Sequence, residues 1–137
     1  MLKLAEAIAS IRKELPAVQA IYLFGSQASG EARAESDVDL AVLLPEKIDP
    51  VARWELAGRL AVLLGRDVDL VDLRSASAVL RVQVLDGGRL LDEQDVFARA
   101  EFEMYALSDY ARLNEERKWI LADVRARGGV NPGAVHG

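Results

Sequence analysis

The sequence predicts an α/β (α+β) domain in which a small mixed sheet of about four strands is flanked by helices and followed by a long helical region. Three observations predict it. Segments with apolar residues at helical spacing alternate with short runs of branched and aromatic residues. Glycine and proline punctuate the junctions between them. No proline or glycine occurs from Glu93 to Arg127, which suits one long helix or two abutting ones.

The elements follow in order. Leu4, Ile8, Ile11 and Leu15 recur at helical spacing, so residues 2–14 read as an amphipathic helix that stops at Pro16. Val18 to Phe24 is rich in branched and aromatic residues and reads as a strand. Gly25 to Ser36 reads as a turn, a short helix and a loop. Val38 to Leu44 is a second apolar strand, closed by Pro45. Pro50 to Leu64 suits a helix ending at Gly65. Asp67 to Leu73 is a third strand, residues 76–85 a short helix, Gly87-Gly88 a turn and Arg89 to Leu91 a fourth strand. Residues 128–137 are rich in glycine and read as a flexible tail. Residues 1–127 are thus expected to form one domain, with a core at about 18–91 and C-terminal helix or helices at about 93–127. The tripeptide Val-Asp-Leu at 38–40, 68–70 and 71–73 is no internal repeat, because its spacings are unequal and its flanks differ.

Composition narrows the function classes. The chain has 137 residues, 51% of them hydrophobic and 28% charged, as expected of one globular domain. A net charge of −5 argues against a sequence-independent nucleic-acid binder with a basic face. Cysteine is absent, which excludes disulfides, thiol nucleophiles and zinc–thiolate sites. The one histidine, His136, lies in the tail, so a mechanism built on histidine is not expected. No apolar run approaches the roughly 20 residues that cross a bilayer, and the N-terminus lacks signal-peptide order. The cytoplasm is the expected compartment.

The chemistry-bearing stretch runs from Gly25 to Leu40. Gly25-Ser26 follows a strand and opens a short helix, where glycine permits close approach of a ligand and free N–H groups attract phosphate. Taken alone, such a pair is a common helix start with a serine cap. Asp37 and Asp39 are two apart on a predicted strand, so their carboxylates point the same way while Val38 and Leu40 face the core. Aspartate is a poor strand former, and two like charges side by side repel. A divalent cation removes that conflict, since magnesium prefers hard oxygen ligands. The plain alternative is an edge strand with a solvated face.

A second acidic strand follows at residues 67–73. Asp67 and Asp69 share a face, and Asp72 has the opposite parity. Asp69, mid-strand between Val68 and Leu70, is favoured to complete a three-carboxylate cluster; Asp67 remains the alternative. Asp72 is expected to face a solvated layer or to cap the next helix. Three carboxylates suit two metal ions roughly 3.5–4 Å apart, the arrangement of in-line phosphoryl transfer. Asp69 would then take a proton from the attacking hydroxyl.

At Gly25, Ser26, Gly30, Ser36, Asp37, Asp39 and Asp69 the sequence resembles the nucleotidyltransferase superfamily related to DNA polymerase β. The shared pattern is Gly-Ser, a spacer, Gly, a spacer, Ser-Asp-x-Asp, then a third acidic residue on a later strand. Within it, the chain looks like the minimal nucleotidyltransferase antitoxins that pair with HEPN-type ribonuclease toxins. The resemblance implies the polymerase β-like fold, ATP as donor, two Mg2+ ions held by Asp37, Asp39 and Asp69, and transfer of AMP to a tyrosine hydroxyl of the toxin. It implies nucleotide contacts from Gly25, Ser26, Gly30 and Ser36. Arg33, in the loop between Gly30 and Ser36, is a further candidate for the triphosphate because its guanidinium offers several donors. Two other readings stand beside this one: an antitoxin that neutralises its partner by docking alone, and a small-molecule transferase of the aminoglycoside-modifying kind. Some of the aromatic residues of 97–121 are expected to cover the sheet and the remainder to form a partner surface, with a plain core helix as the equal alternative.

Overall fold

The computed structural model describes residues 2–33 and 36–126. The expectation for residues 128–137 lies outside them. In chain order the elements are α1 (Leu4–Glu14), β1 (Ala20–Phe24), α2 (Ser26–Ser29), β2 (Val38–Leu43), α3 (Pro50–Leu64), β3 (Val68–Asp72), α4 (Ala78–Gly87), β4 (Arg89–Glu93) and α5 (Val96–Ala126). The four strands form one sheet in the order β3-β2-β1-β4. Strands β2 and β3 run parallel, and β1 runs antiparallel to both β2 and β4. The sheet is mixed, as the sequence predicts.

Local chemistry sets the ends of these elements. Asp49 caps α3 by accepting from the Ala52 amide at 3.0 Å, with Pro50 next to it at the helix start. Ser77 caps α4 through the Leu80 amide at 3.1 Å, and Asp95 accepts from the Ala98 amide at 3.0 Å where α5 begins. Helix α5 is a single helix of 31 residues. Strand β1 starts at Ala20, two residues later than expected, because the Val18 amide still turns back to the Leu15 carbonyl. Strand β4 extends to Glu93 rather than ending at Leu91. The pair Gly87-Gly88 is not a turn: Gly87 closes α4, and Gly88 passes so near α4 and β1 that a Cβ there would overlap the Val84 carbonyl and stand 3.2 Å from the Leu23 carbonyl.

Alternating side chains of the sheet feed two cores. Ile21, Leu23, Val38, Leu40, Val42 and Leu70 pack with Ile11 of α1 and Leu56 and Leu60 of α3. On the opposite face Ala20, Tyr22, Ala41 and Leu43 pack with Val84 of α4 and Phe102 and Ala106 of α5. Arg74 and Arg81 lie over the Phe102 ring, 5.3 and 5.4 Å from its centre. The Tyr22 hydroxyl donates to Glu103 at 2.7 Å; burial, then that carboxylate, raise the phenol above its ordinary pKa.

Asp72 departs from expectation. It is buried (4% exposed) and accepts from the Ile48 amide at 2.9 Å, the Arg74 amide at 3.0 Å and the Ser75 hydroxyl at 2.8 Å. It neither faces solvent nor caps α4. It ties the loop before α3 to the loop after β3, because a buried carboxylate persists only where donors surround it.

Candidate active site

Strand β1 ends at Phe24 and the chain bends at Gly25, with φ 69° and ψ −153°. Only glycine adopts that region readily. Antiparallel pairing sets Phe24 opposite Asp39, so the bend lies against the Asp39 carboxylate. A Cβ at Gly25 would overlap Asp39 Oδ2 and stand 3.1 Å from its Cγ. The missing side chain at Gly25 makes the room that Asp39 occupies.

Parallel pairing of β2 with β3 places Asp39 directly beside Asp69. Paired residues in register point to the same face, so these two carboxylates are neighbours. Asp37 sits just ahead of β2, exposed. Helix α2 reaches that segment through Gln27, whose amide donates to the carbonyls of Ser36 at 3.3 Å and Asp37 at 3.4 Å. Gln27 was not singled out by the sequence; nothing in its spacing marks it.

The electrostatics tie the three acids together. The Asp39 carboxyl is held above the ordinary carboxylate pKa by burial first, then by the charges of Asp69 and Asp37. Among the described residues no lysine or arginine forms an ion pair with any of the three. Asp67 is not among the groups acting on Asp39. Its carbonyl accepts from the Val38 amide at 2.9 Å, and its exposed side chain lines a surface groove. Of the two candidates for third acid, the register favours Asp69. Among the described residues no group of three or more His, Cys, Asp or Glu side chains stands as a ready-made cation cage. Mutual repulsion opposes a closer gathering of carboxylates.

Two openings flank the acidic cluster. A cleft of about 470 Å3 is lined by Phe24, Gly25, Ser26, Ser29, Glu31, Gln83 and Gly87. A groove of about 440 Å3 is lined by Asp37, Ala61, Val62, Gly65, Arg66 and Asp67. Gly30, Arg33 and Ser36 line neither opening. Gly30 ends α2 with φ 81°. The Ser36 hydroxyl accepts from the Arg33 amide at 2.7 Å, which braces the loop that carries Asp37. The Arg33 carbonyl accepts from Arg66 at 3.4 Å, and Arg33 itself is exposed. Phe24, Glu31 and Gln83 of the cleft were not legible as site residues, since they come from three separate elements or loops.

Comparison with known proteins points the same way. The polymerase beta nucleotidyltransferase family matches residues 6–96. The protein adenylyltransferase MntA of Shewanella oneidensis is 45% identical over 120 residues, spanning 85% of this chain and 83% of that protein. A crystal structure of a toxin-antitoxin with AMP-PNP contains a chain with TM-score 0.81 and 44% identity, covering 90% of this chain and 99% of that one. A structure of the tri-AMPylated Shewanella oneidensis HEPN toxin in complex with MNT antitoxin contains a chain with TM-score 0.73 and 42% identity, covering 88% of this chain and 94% of that one.

Proposed function

Because the chain belongs to the polymerase beta nucleotidyltransferase family, we propose that it transfers AMP from ATP to a hydroxyl of a partner HEPN-type toxin and so acts as that toxin's antitoxin. The observation that carries this reading is the 45% identity to a protein adenylyltransferase over most of both chains. A toxin-antitoxin with AMP-PNP and an AMPylated HEPN toxin held by an MNT antitoxin, both with chains similar to this one, support the donor and the partner. Residues 1–127 act as one domain in this reading. No described helix is long and apolar enough to cross a membrane, and the cytoplasm, where ATP is abundant, is the proposed compartment.

Asp37, Asp39 and Asp69 are assigned as ligands of divalent cations, magnesium by preference. The donor set fits such ions: its oxygens are hard, its charge is negative, and the Asp39 carboxyl, pressed by burial and two like charges, favours a cation beside it. Bound there, two such ions would offset the charge of the triphosphate and align the attacking and leaving oxygens.

The chain's own groups supply the rest. Backbone N–H groups of the Gly25-Ser26 bend and the Ser26 hydroxyl hold the triphosphate in the cleft. Gln27 fixes the Ser36-Asp37 segment from behind. Asp69, exposed on the outermost strand, accepts the proton of the incoming hydroxyl. The hydroxyl oxygen bonds to the α-phosphorus, the bond to the bridging oxygen breaks, and pyrophosphate leaves. Gly30 and Ser36 shape the loop, and the exposed Arg33 is kept as a candidate contact for the triphosphate.

Incubating the chain with ATP, magnesium and its partner toxin tests the proposal. The toxin should gain the mass of one or more AMP units, and Asp37→Ala with Asp39→Ala should abolish the gain. Tight binding with no mass change, insensitive to those substitutions, would instead establish neutralisation by docking.

A further inference from the structure

We propose that the cleft between α2 and α4 seats the nucleoside of the donor nucleotide, and that Gln83 on its α4 wall is the residue that selects the base. This deepens the reading of the chain as an AMP-transferring enzyme and rests on it for the identity of the donor.

The cleft opens on the side of the sheet to which the carboxylates point. Phe24 and Asp39 are partners in the antiparallel pair, and Asp39 and Asp69 are partners in the parallel one. Paired residues in register share a face, so all three side chains lie on one side of the sheet. Phe24 packs against the same core as Leu80 and Leu85 of α4, and it also lines the cleft. Gly25 lines it too and abuts the Asp39 carboxylate. The cleft therefore begins beside the acidic cluster and ends at α4.

Charge decides which part of the donor goes there. Two parts of ATP lead away from the α-phosphorus, the pyrophosphate and the nucleoside. Pyrophosphate is best met by cations, and among the described residues no lysine or arginine lines the cleft. Its one charged lining residue is the exposed Glu31, which repels phosphate. An uncharged nucleoside meets no such repulsion. The apolar Phe24 and the open space at Gly87, where a Cβ would meet nothing within 4 Å, suit a flat base.

Gln83 is placed to read that base. It lies four residues before Gly87 on α4, so the two share a helix face, while Val84 between them turns into the core. The other glutamines of the chain are engaged: Gln19 accepts from Arg74, Gln27 donates to the Ser36 carbonyl and Gln94 donates to Asp92, each at 3.3 Å. The Gln83 amide has no hydrogen-bond partner among the described residues. A carboxamide presents a donor and an acceptor side by side, which match N7 and the N6 amino group of adenine. Guanine shows two acceptors on that edge, O6 and N7, and pairs there with arginine or lysine.

Calorimetric titration of the chain with the β,γ-imido analogues of ATP and GTP, magnesium present, is the test. The parent should bind the ATP analogue more tightly. Gln83→Ala should raise the Kd for the ATP analogue roughly tenfold or more and leave that for the GTP analogue near the parent value. Gln83→Arg, which offers donors to O6 and N7, should invert the preference, a gain that no loss of folding can mimic. Transfer of AMP or GMP to the purified partner toxin, followed by mass, should show the same order with an unchanged KM for the toxin. Parent-like discrimination in both variants would overturn the role of Gln83 and leave the proposed function standing. So would equal binding of the two analogues by the parent. Selectivity that shifts as expected in a chain that never transfers would uphold the nucleoside seat and overturn the transfer. A parent chain that binds neither analogue would overturn both readings.

Discussion

Gly25→Ala separates the bend beside the carboxylates from the remainder of the fold, and its cost can be worked from two terms. At φ 69° and ψ −153° a residue with a side chain pays about 1–3 kcal/mol of backbone strain. The new Cβ overlaps Asp39 Oδ2, so the carboxylate must leave its rotamer, at about 0.5–1.5 kcal/mol. Together these lower stability by about 2–4 kcal/mol, or roughly 8–16 °C in the midpoint of a domain of this size. Displacing Asp39 should also reduce AMP transfer by about a hundredfold or more. Scanning calorimetry and a transfer assay read the two effects. Gly30→Ala supplies the contrast: its φ is also positive, 81°, yet nothing lies within 4 Å of its Cβ. It should lose only about 1–2 kcal/mol and keep most of its activity. Equal behaviour of the two variants, or a Gly25→Ala chain that melts and works like the parent, would refute the close packing of bend and carboxylate.

Other outcomes follow from the same coordinates of charge and burial. A carboxyl whose pKa is raised on folding binds its proton more tightly in the folded state, so ionised Asp39 costs stability, and the cost grows as pH rises through the raised value. Asp39→Asn should therefore be more stable than the parent at pH 7 in chelator-containing buffer, with the gain vanishing near about pH 3; urea midpoints across that range measure it, and transfer should be almost lost. Asp72→Ala strands the Ile48 and Arg74 amides and should cost about 2–4 kcal/mol by denaturant titration, without touching the acidic cluster. Phe102→Ala removes a buried ring under Arg74 and Arg81 and should cost about 3–5 kcal/mol. Ending the chain after Leu107 should cost far less, because Phe102 and Ala106 are the residues of α5 that are buried; thermal melts compare the two.

What was legible in the sequence was local. The two-residue period of a strand sends Val38 and Leu40 to the core, where they lie, but β2 begins at Val38, so Asp37 sits ahead of the strand rather than on it beside Asp39. The stop of α3 at Gly65 was readable, whereas the caps Asp49, Ser77 and Asp95 were not singled out and neither Ser26 nor Asp72 caps a helix. Contacts between distant segments were not. That Asp69 pairs with Asp39 depends on the parallel register of β2 and β3, which the residue types leave open between Asp67 and Asp69. The three donors around Asp72 come from both sides of α3, and no spacing rule links them. Strand β4 was cut short at Leu91 because Asp92 and Glu93 are poor strand formers. Pairing with Ile21 and Ala20, together with ion pairs to Arg12 and Arg99, holds them in the strand.

Strand position also explains why the Asp39 pKa is raised. A strand that feeds apolar side chains to both faces must lie inside a sheet, and β2 does so: Val38, Leu40 and Val42 enter one core while Ala41 and Leu43 enter the other. Asp39 takes the first slot of the second series, at the end of the sheet where the chain bends at Gly25. Its backbone is walled by β1 and β3 on either side, so its carboxylate is partly desolvated and receives the charge of Asp69 from the edge strand. Asp69, on that edge, remains open to an incoming group. One interior strand and one edge strand thus give two aspartates different exposures at nearly the same place. The same alternation keeps the chemistry out of both cores, so a substitution at Asp39 alters charge at the site and leaves the packing of β2 as it was.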